Sequence, residues 1–129
     1  MKSHGVEKVA HLASLSREEA NLDYNLAKKY HIEGTKILID QIKKNCDLSA
    51  MHIFYGSCMS VYGDRRANPE IRSTDEPKPM AHDYFALTKL EAENIIKESG
   101  IPYTILRYAP ICGNYIKIGL VSFATVCNN

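Results

Sequence analysis

The strongest constraint in this sequence is an alternation. Short apolar runs at 6–13 (VEKVAHLA), 51–57 (MHIFYGS) and 103–108 (YTILRY) are separated by two stretches whose apolar residues return at helical spacing. Runs this short suit buried parallel strands, and parallel neighbours need a crossover long enough to hold a helix. The spacing therefore predicts an α/β chain, a parallel sheet in βαβαβ order with helices packed on it. Three strands alone leave two open edges, so partner strands from another chain, or a larger domain of which this is a part, are expected.

The first crossover starts with a capping box, Ser16 with Glu19 three residues on, and its apolar positions Leu22, Leu26, Ile32, Leu38, Ile39 and Ile42 continue to about Lys44. It reads as one long helix, or as two with a break near 31–34. Gly34 inside the pattern costs about 1 kcal/mol against alanine and suggests that break or a close approach to the sheet. The second crossover ends in the helix DYFALTKLEAENIIK at 83–97, with Asp83 as N-cap and Gly100 as its end. On a helical wheel Tyr84, Phe85, Thr88, Ala92, Ile95 and Ile96 gather on one side, while Glu91, Glu93, Asn94, Lys97 and Glu98 fall mostly elsewhere. Lys89 stands one turn after Phe85 at the margin of the stripe, where its ammonium can reach past the ring. Between the second strand and this helix lies an irregular section, 58–82, holding Arg65, Arg66, Arg72 and the prolines Pro69, Pro77 and Pro79. A loop this long in a small domain is commonly a functional one.

Several classes are excluded by bulk properties. A chain of 129 residues makes one domain at most, and a net charge of +1 with 24% charged residues gives no field for a nucleic-acid partner. No apolar run approaches the roughly 20 residues of a membrane span and no apolar signal core opens the chain, so a cytoplasmic protein without a membrane partner is expected. Cys46, Cys58, Cys112 and Cys127 form no C-x-x-C pair, which predicts reduced thiols and no metal site. His4, His11, His31, His52 and His82 have no ligand spacing and read as surface or hydrogen-bonded core residues.

Four segments in order carry a resemblance. They are His11-Leu12-Ala13 after the first strand, His31-Ile32-Glu33-Gly34-Thr35, Ser57-Cys58-Met59-Ser60-Val61-Tyr62-Gly63, and the helix with Lys89; the third strand with its turn, YTILRYAPICG, extends the match. Together they resemble the extended short-chain dehydrogenase/reductases, the nucleotide-sugar epimerases and dehydratases, from about Val6 to about Asn114. The resemblance implies a partial Rossmann-like doubly wound sheet and a small-molecule substrate such as a nucleotide sugar. It also implies NAD or NADP, with hydride transfer at a hydroxyl carbon, and a homo-oligomer is expected.

In the family's Tyr-x-x-x-Lys motif the Tyr is the acid/base and the Lys holds the cofactor ribose. Lys89 matches, but the acid/base position is Phe85, and Tyr84 is one place off. The family's catalytic Ser/Thr position is Cys58, and His31 replaces the Asn of N-V-x-G-T. His11, Leu12, Ala13, Ser57, Lys89, Tyr108, Pro110 and Ile111 fall at positions that border the cofactor. A phenyl ring has no proton to give, and a thiol is a longer, weaker donor than a hydroxyl. Little or no turnover is therefore expected.

The glycines, at 5, 34, 56, 63, 100, 113 and 119, contain no glycine-rich dinucleotide turn, so the family's N-terminal strands and C-terminal substrate region are expected to be absent, as in a truncated or split gene product. Other readings stay open. Cys58 is apolar filler, a low-pKa thiol near Lys89, or half of a nucleophile pair with His82; Arg65 and Arg66 meet a phosphorylated substrate or stand solvated. Tyr84 replaces the missing phenol if the helix turns by one residue, roughly 100°. A second class is a non-catalytic α/β module that binds partners or itself through an open strand edge.

Overall fold

The computed structural model describes residues 5–110. Three strands, β1 (Lys8–His11), β2 (His52–Cys58) and β3 (Tyr103–Tyr108), form one parallel sheet in the order β1-β2-β3. Lys8 stands opposite His52 and Ile53 opposite Tyr103, so β2 is the central strand. The expected α/β class and parallel pairing are therefore observed. The first strand is shorter than the apolar run around it, because only Lys8 to His11 pairs with β2. The second is shifted by one residue, to end at Cys58.

The first crossover departs further from expectation. Its capping box forms as read, with Ser16 and Glu19 exchanging side-chain and backbone bonds at α1 (Arg17–Leu22). The helix then breaks at Asp23, not near 31–34. Asp23 adopts an extended backbone and its carboxylate accepts the N–H groups of Asn25 and Leu26, starting α2 (Tyr24–Ala27). A short polar side chain that can cap its own following turn competes with helix continuation, and here it wins. A π-helical turn (Lys28–Glu33) follows and leads without interruption into α3 (Gly34–Asn45). The wider turn lets the consecutive residues His31 and Ile32 both face inward.

After β2, a 3₁₀ turn (Met59–Tyr62) opens the long loop, which closes at α4 (Tyr84–Glu98). Asp83 caps α4 as expected, accepting the N–H of Ala86 while also pairing with Arg17 at 2.6 Å. At the loop's start Gly63 sits at φ +68, and a Cβ there would meet the carbonyl oxygen of Lys78. Only glycine fits that close crossing of the two ends of the loop.

The core lies between one face of the sheet and the helices α3 and α4, with Ile39, Ile42, Ile53, Tyr55, Ala92 and Ile96 at its centre. The alternation along the strands leaves Ala10, Leu106 and Tyr108 on the other face, exposed. No helix of the described residues is long and apolar enough to cross a membrane. Ile111 and the cysteines Cys112 and Cys127 lie outside the described residues.

Candidate functional site

A cleft of about 490 Å³ opens at the carboxyl ends of β2 and β3. Cys58, Phe85, Tyr108 and Pro110 line it together, with Ser60 and Met80. The topology explains why: Cys58 and Tyr108 are register partners at the ends of adjacent strands, and Phe85, in the first turn of α4, packs against the cluster that Cys58 forms with Val61 and Tyr62. Carboxyl ends of parallel strands are where open α/β sheets leave a crevice.

Cys58 is buried, and its sulfur accepts a hydrogen bond from Ser60 Oγ at 3.3 Å. Burial pushes the thiol above its ordinary range, and the smaller opposing effects of the Ser60 hydroxyl and Lys89 do not reverse this. His82, the other half of the nucleophile pair considered above, is exposed at the end of the loop. Tyr84 packs its ring on Tyr24 at 5.3 Å between centroids. Arg65 pairs with Asp75 at 2.9 Å and Arg66 with Asp64.

Lys89 is only 3% exposed. Its Nζ donates to the carbonyl oxygen of Gly56 at 2.9 Å and stands 5.0 Å from the Tyr55 ring centroid and 5.8 Å from that of Phe85. Burial between those rings lowers its pKa to about 8, with a small opposing contribution from Cys58. Among the described residues the ammonium donates one hydrogen bond, to Gly56, of the three that it can make.

Two histidines stand behind this lysine. His11 Nε2 lies 3.0 Å from Thr35 Oγ1. His31 Nε2 accepts the N–H of Leu15 at 3.2 Å, which assigns the ring proton to Nδ1, 2.8 Å from Thr88 Oγ1. Burial, then the charge of Lys89, then His11 lower the His31 pKa to about 4. The edge of its ring meets Phe85 at 5.6 Å. Leu12 and Ala13, on the exit from β1, are exposed, and Leu12 Cδ2 lies 3.0 Å from where a Cβ on Gly56 would stand.

Ser57 turns away from the cleft and donates to Glu93 at 2.6 Å. Glu93 was placed by the helical wheel outside the buried stripe, yet it is fully buried. Arg107 holds it through Nε and Nη2, and passes Nη1 to the Tyr62 hydroxyl. One network thus ties together α4, both strand ends and the 3₁₀ turn that form the cleft. The wheel missed it because the partner lies on another element. The signal was Arg107 itself: a guanidinium inside the apolar run YTILRY requires a carboxylate from whatever packs on the strand.

The flat rings of Phe85 and Tyr108 in the cleft wall suit the nicotinamide half of a dinucleotide, and Lys89, outside the lining, stands behind Phe85. Among the described residues the first strand-to-helix turn makes no glycine-rich cradle for a pyrophosphate. The β1-to-α1 turn, 12–16, contains no glycine, and α1 has six residues. Among the described residues no group of histidines, cysteines and carboxylates is placed to hold a metal ion.

The sequence profile described as the NAD dependent epimerase/dehydratase family matches residues 1–122. No curated protein matches the chain. Among solved structures it is similar to the enzyme WbmH of Bordetella bronchiseptica in complex with NAD+, at TM-score 0.77 and 19% identity over 98% of this chain and 40% of that one. UDP-glucose 4-epimerase of Brucella ovis in complex with NAD gives TM-score 0.74 and 22% identity over 85% and 34%. RMD of Pseudomonas aeruginosa complexed with NADPH gives 0.69 and 24% over 81% and 36%. These likenesses establish the Rossmann-like fold, and the chain spans between about a third and two fifths of each neighbour's length.

Proposed function

The chain belongs to the NAD dependent epimerase/dehydratase family, and from that premise we propose that it carries the nicotinamide end of an NAD(P) site without the group that moves the proton. Lys89 would hold the ribose hydroxyls, and Phe85 and Tyr108 would flank the ring. NAD or NADP, when bound, supplies the hydride chemistry; the chain's own residues bind and orient. Cys58 and Phe85 occupy the proton-handling positions, so a hydroxyl substrate, a sugar nucleotide or a related molecule, would be held but turned over poorly. Loss of a general acid/base costs about 10²- to 10⁴-fold. The reading further places the chain in the cytoplasm, as a partial single domain.

The observation that supports this most is the joint position of Phe85, Cys58 and Tyr108 around one cleft, with Lys89 behind Phe85. Titration of the purified chain with NADH, followed by nucleotide fluorescence, tests it. Saturation in the micromolar range, weakened at least about tenfold by Lys89→Met, is expected. Absence of saturable binding sinks the reading.

A second reading, a non-catalytic module that assembles with itself, has its own support. Leu22, Leu26, Tyr30 and Ile37, one each on α1, α2, the π-helical turn and α3, are exposed apolar residues. A stable dimer in sedimentation, lost in Leu26→Glu/Ile37→Glu, together with no NADH binding, favours this alternative.

A further inference from the structure

One imidazole ties the first strand-to-helix turn to the body of the protein. His31 is 1% exposed, with Nδ1 toward α4 and Nε2 toward the turn. On the α4 side Thr88 Oγ1 donates to the Tyr84 carbonyl at 2.7 Å, which leaves its lone pairs for the Nδ1–H at 2.8 Å. On the turn side Nε2 meets two groups, the Leu15 N–H at 3.2 Å and Ser14 Oγ at 3.0 Å. Thr35 Oγ1 fixes the backbone behind the ring by donating to the His31 carbonyl at 2.5 Å.

The two partners of Nε2 respond differently to a proton. A hydroxyl both donates and accepts, and Ser14 has the Leu15 carbonyl within reach at 2.8 Å, so its hydrogen can turn there while its oxygen accepts from Nε2. A backbone N–H only donates. In the imidazolium both ring nitrogens are donors, so the Leu15 N–H then faces another donor and loses its acceptor. The charged and titratable groups acting on the ring are Lys89 from α4 and His11 from β1, and both oppose its protonation. From α3 the ring's residue meets the neutral Thr35, and α2, with the sequence YNLA, brings no charge.

The turn leads directly into α1, whose first residue, Arg17, lines the cleft and pairs with Asp83. We propose that His31 is a positioning residue that latches the 12–16 turn, and with it the Arg17 wall of the cleft, while its ring is neutral, and releases both when the ring takes a proton. The closed form holds the ring at a pKa of about 4, against 6.5 for an ordinary histidine. Release that exposes the ring to water is therefore favoured roughly twentyfold more at pH 5 than at pH 7. The latch needs no cofactor, so the proposal stands apart from the NAD(P) reading.

Nuclear magnetic resonance of the full chain between pH 7.5 and pH 4.5 tests it. At pH 7.5 the ring nitrogens should show Nε2 without a proton. The protection of the Leu15 amide, corrected for the ordinary pH dependence of exchange, should fall at least about tenfold from pH 7 to pH 5, and the order parameters of Ser14 to Arg17 should fall with it. Ile53, whose N–H is bonded to the Pro102 carbonyl in the sheet, should stay the better protected of the two throughout. In His31→Gln, whose side-chain carbonyl can accept the Leu15 N–H at any pH, the fall should be less than about twofold. If that variant does not fold by circular dichroism, the parent decides, since the fall must track the titration of the His31 ring and not that of His11. A proton on Nε2 at pH 7.5, an unchanged Leu15 amide, or an equal fall in His31→Gln overturns the proposal. Equal protection of Leu15 and Ile53 at pH 5 also overturns it, because the whole chain is then unfolding and no local release precedes it.

Discussion

Arg107 grips Glu93 through Nε at 2.9 Å and Nη2 at 2.6 Å, and so joins the third strand to the middle of α4 inside the protein. Burial pushes the Glu93 carboxyl up, and the bonds from Arg107 and Ser57 outweigh it, holding the group below the usual carboxylate range. Removing one partner leaves the other charged and desolvated. Arg107→Leu is therefore expected to destabilise the chain by about 3–5 kcal/mol in urea unfolding, whereas Arg107→Met with Glu93→Leu should recover most of that loss. Equal stability of the single and double variants would show that the pair is not coupled.

His31 gives the chain an acid-sensitive window. Its folded pKa of about 4 lies below the 6.5 of an ordinary histidine. Between those values the unfolded chain binds a proton that the folded one does not, so this contribution is complete above about pH 6.5 and is lost as pH falls toward 4. The total is on the order of 3 kcal/mol. Unfolding midpoints between pH 7 and 4.5 should fall in the parent chain and fall less in His31→Gln. His11, also lowered by burial and by Lys89, supplies a residual slope. An identical slope in the variant removes His31 from the account.

Gly63→Ala is expected to cost more than a surface substitution. The backbone stands at φ +68, and the added methyl would collide with the Lys78 carbonyl. Gly63 stands at φ 68 and ψ −147, a combination almost confined to glycine, so backbone strain of about 1–3 kcal/mol plus displacement of the loop end should lower the midpoint measurably. Gly34→Ala serves as the comparison, since a Cβ there has its nearest neighbour at 3.8 Å. It should be neutral or stabilising by about 0.5–1 kcal/mol. The reverse ranking would mean the crossing at Gly63 is looser than described.

Phe85→Tyr with Cys58→Ser restores a phenol and a hydroxyl at the wall of the cleft. Placed in a chain that also supplies a glycine-rich turn, the pair should raise turnover of a nucleotide-sugar substrate at least about tenfold over the same graft without them. The separate variants show which group limits. No gain in any of them counts against the assignment of positions 58 and 85.

Much of the fold was legible before any coordinates. The capping box at Ser16 and Glu19 and the Asp83 cap are local, decided by residues within three positions of one another. The sequence leaves one long helix or a break near 31–34 open, whereas the chain breaks at Asp23, a cap, and runs through Gly34 as helix. At Asp23 one carboxylate satisfies two backbone donors, which outweighs the modest propensity cost of a glycine. At the site, Lys89, Phe85, Cys58 and Tyr108 were named from the sequence. What surrounds them was not: the Gly56 carbonyl on the ammonium, the two neutral histidines behind it, and Ser57 turned to Glu93.

The sequence by itself determined the order of elements, the parallel pairing and the residue types along the cleft, because periodicity and caps act over a few residues. Tertiary structure alone decided that Glu93 is buried and Lys89 is held against a carbonyl. A buried charge is stable only beside a partner, and both partners, Arg107 and Gly56, arrive from strands far along the chain.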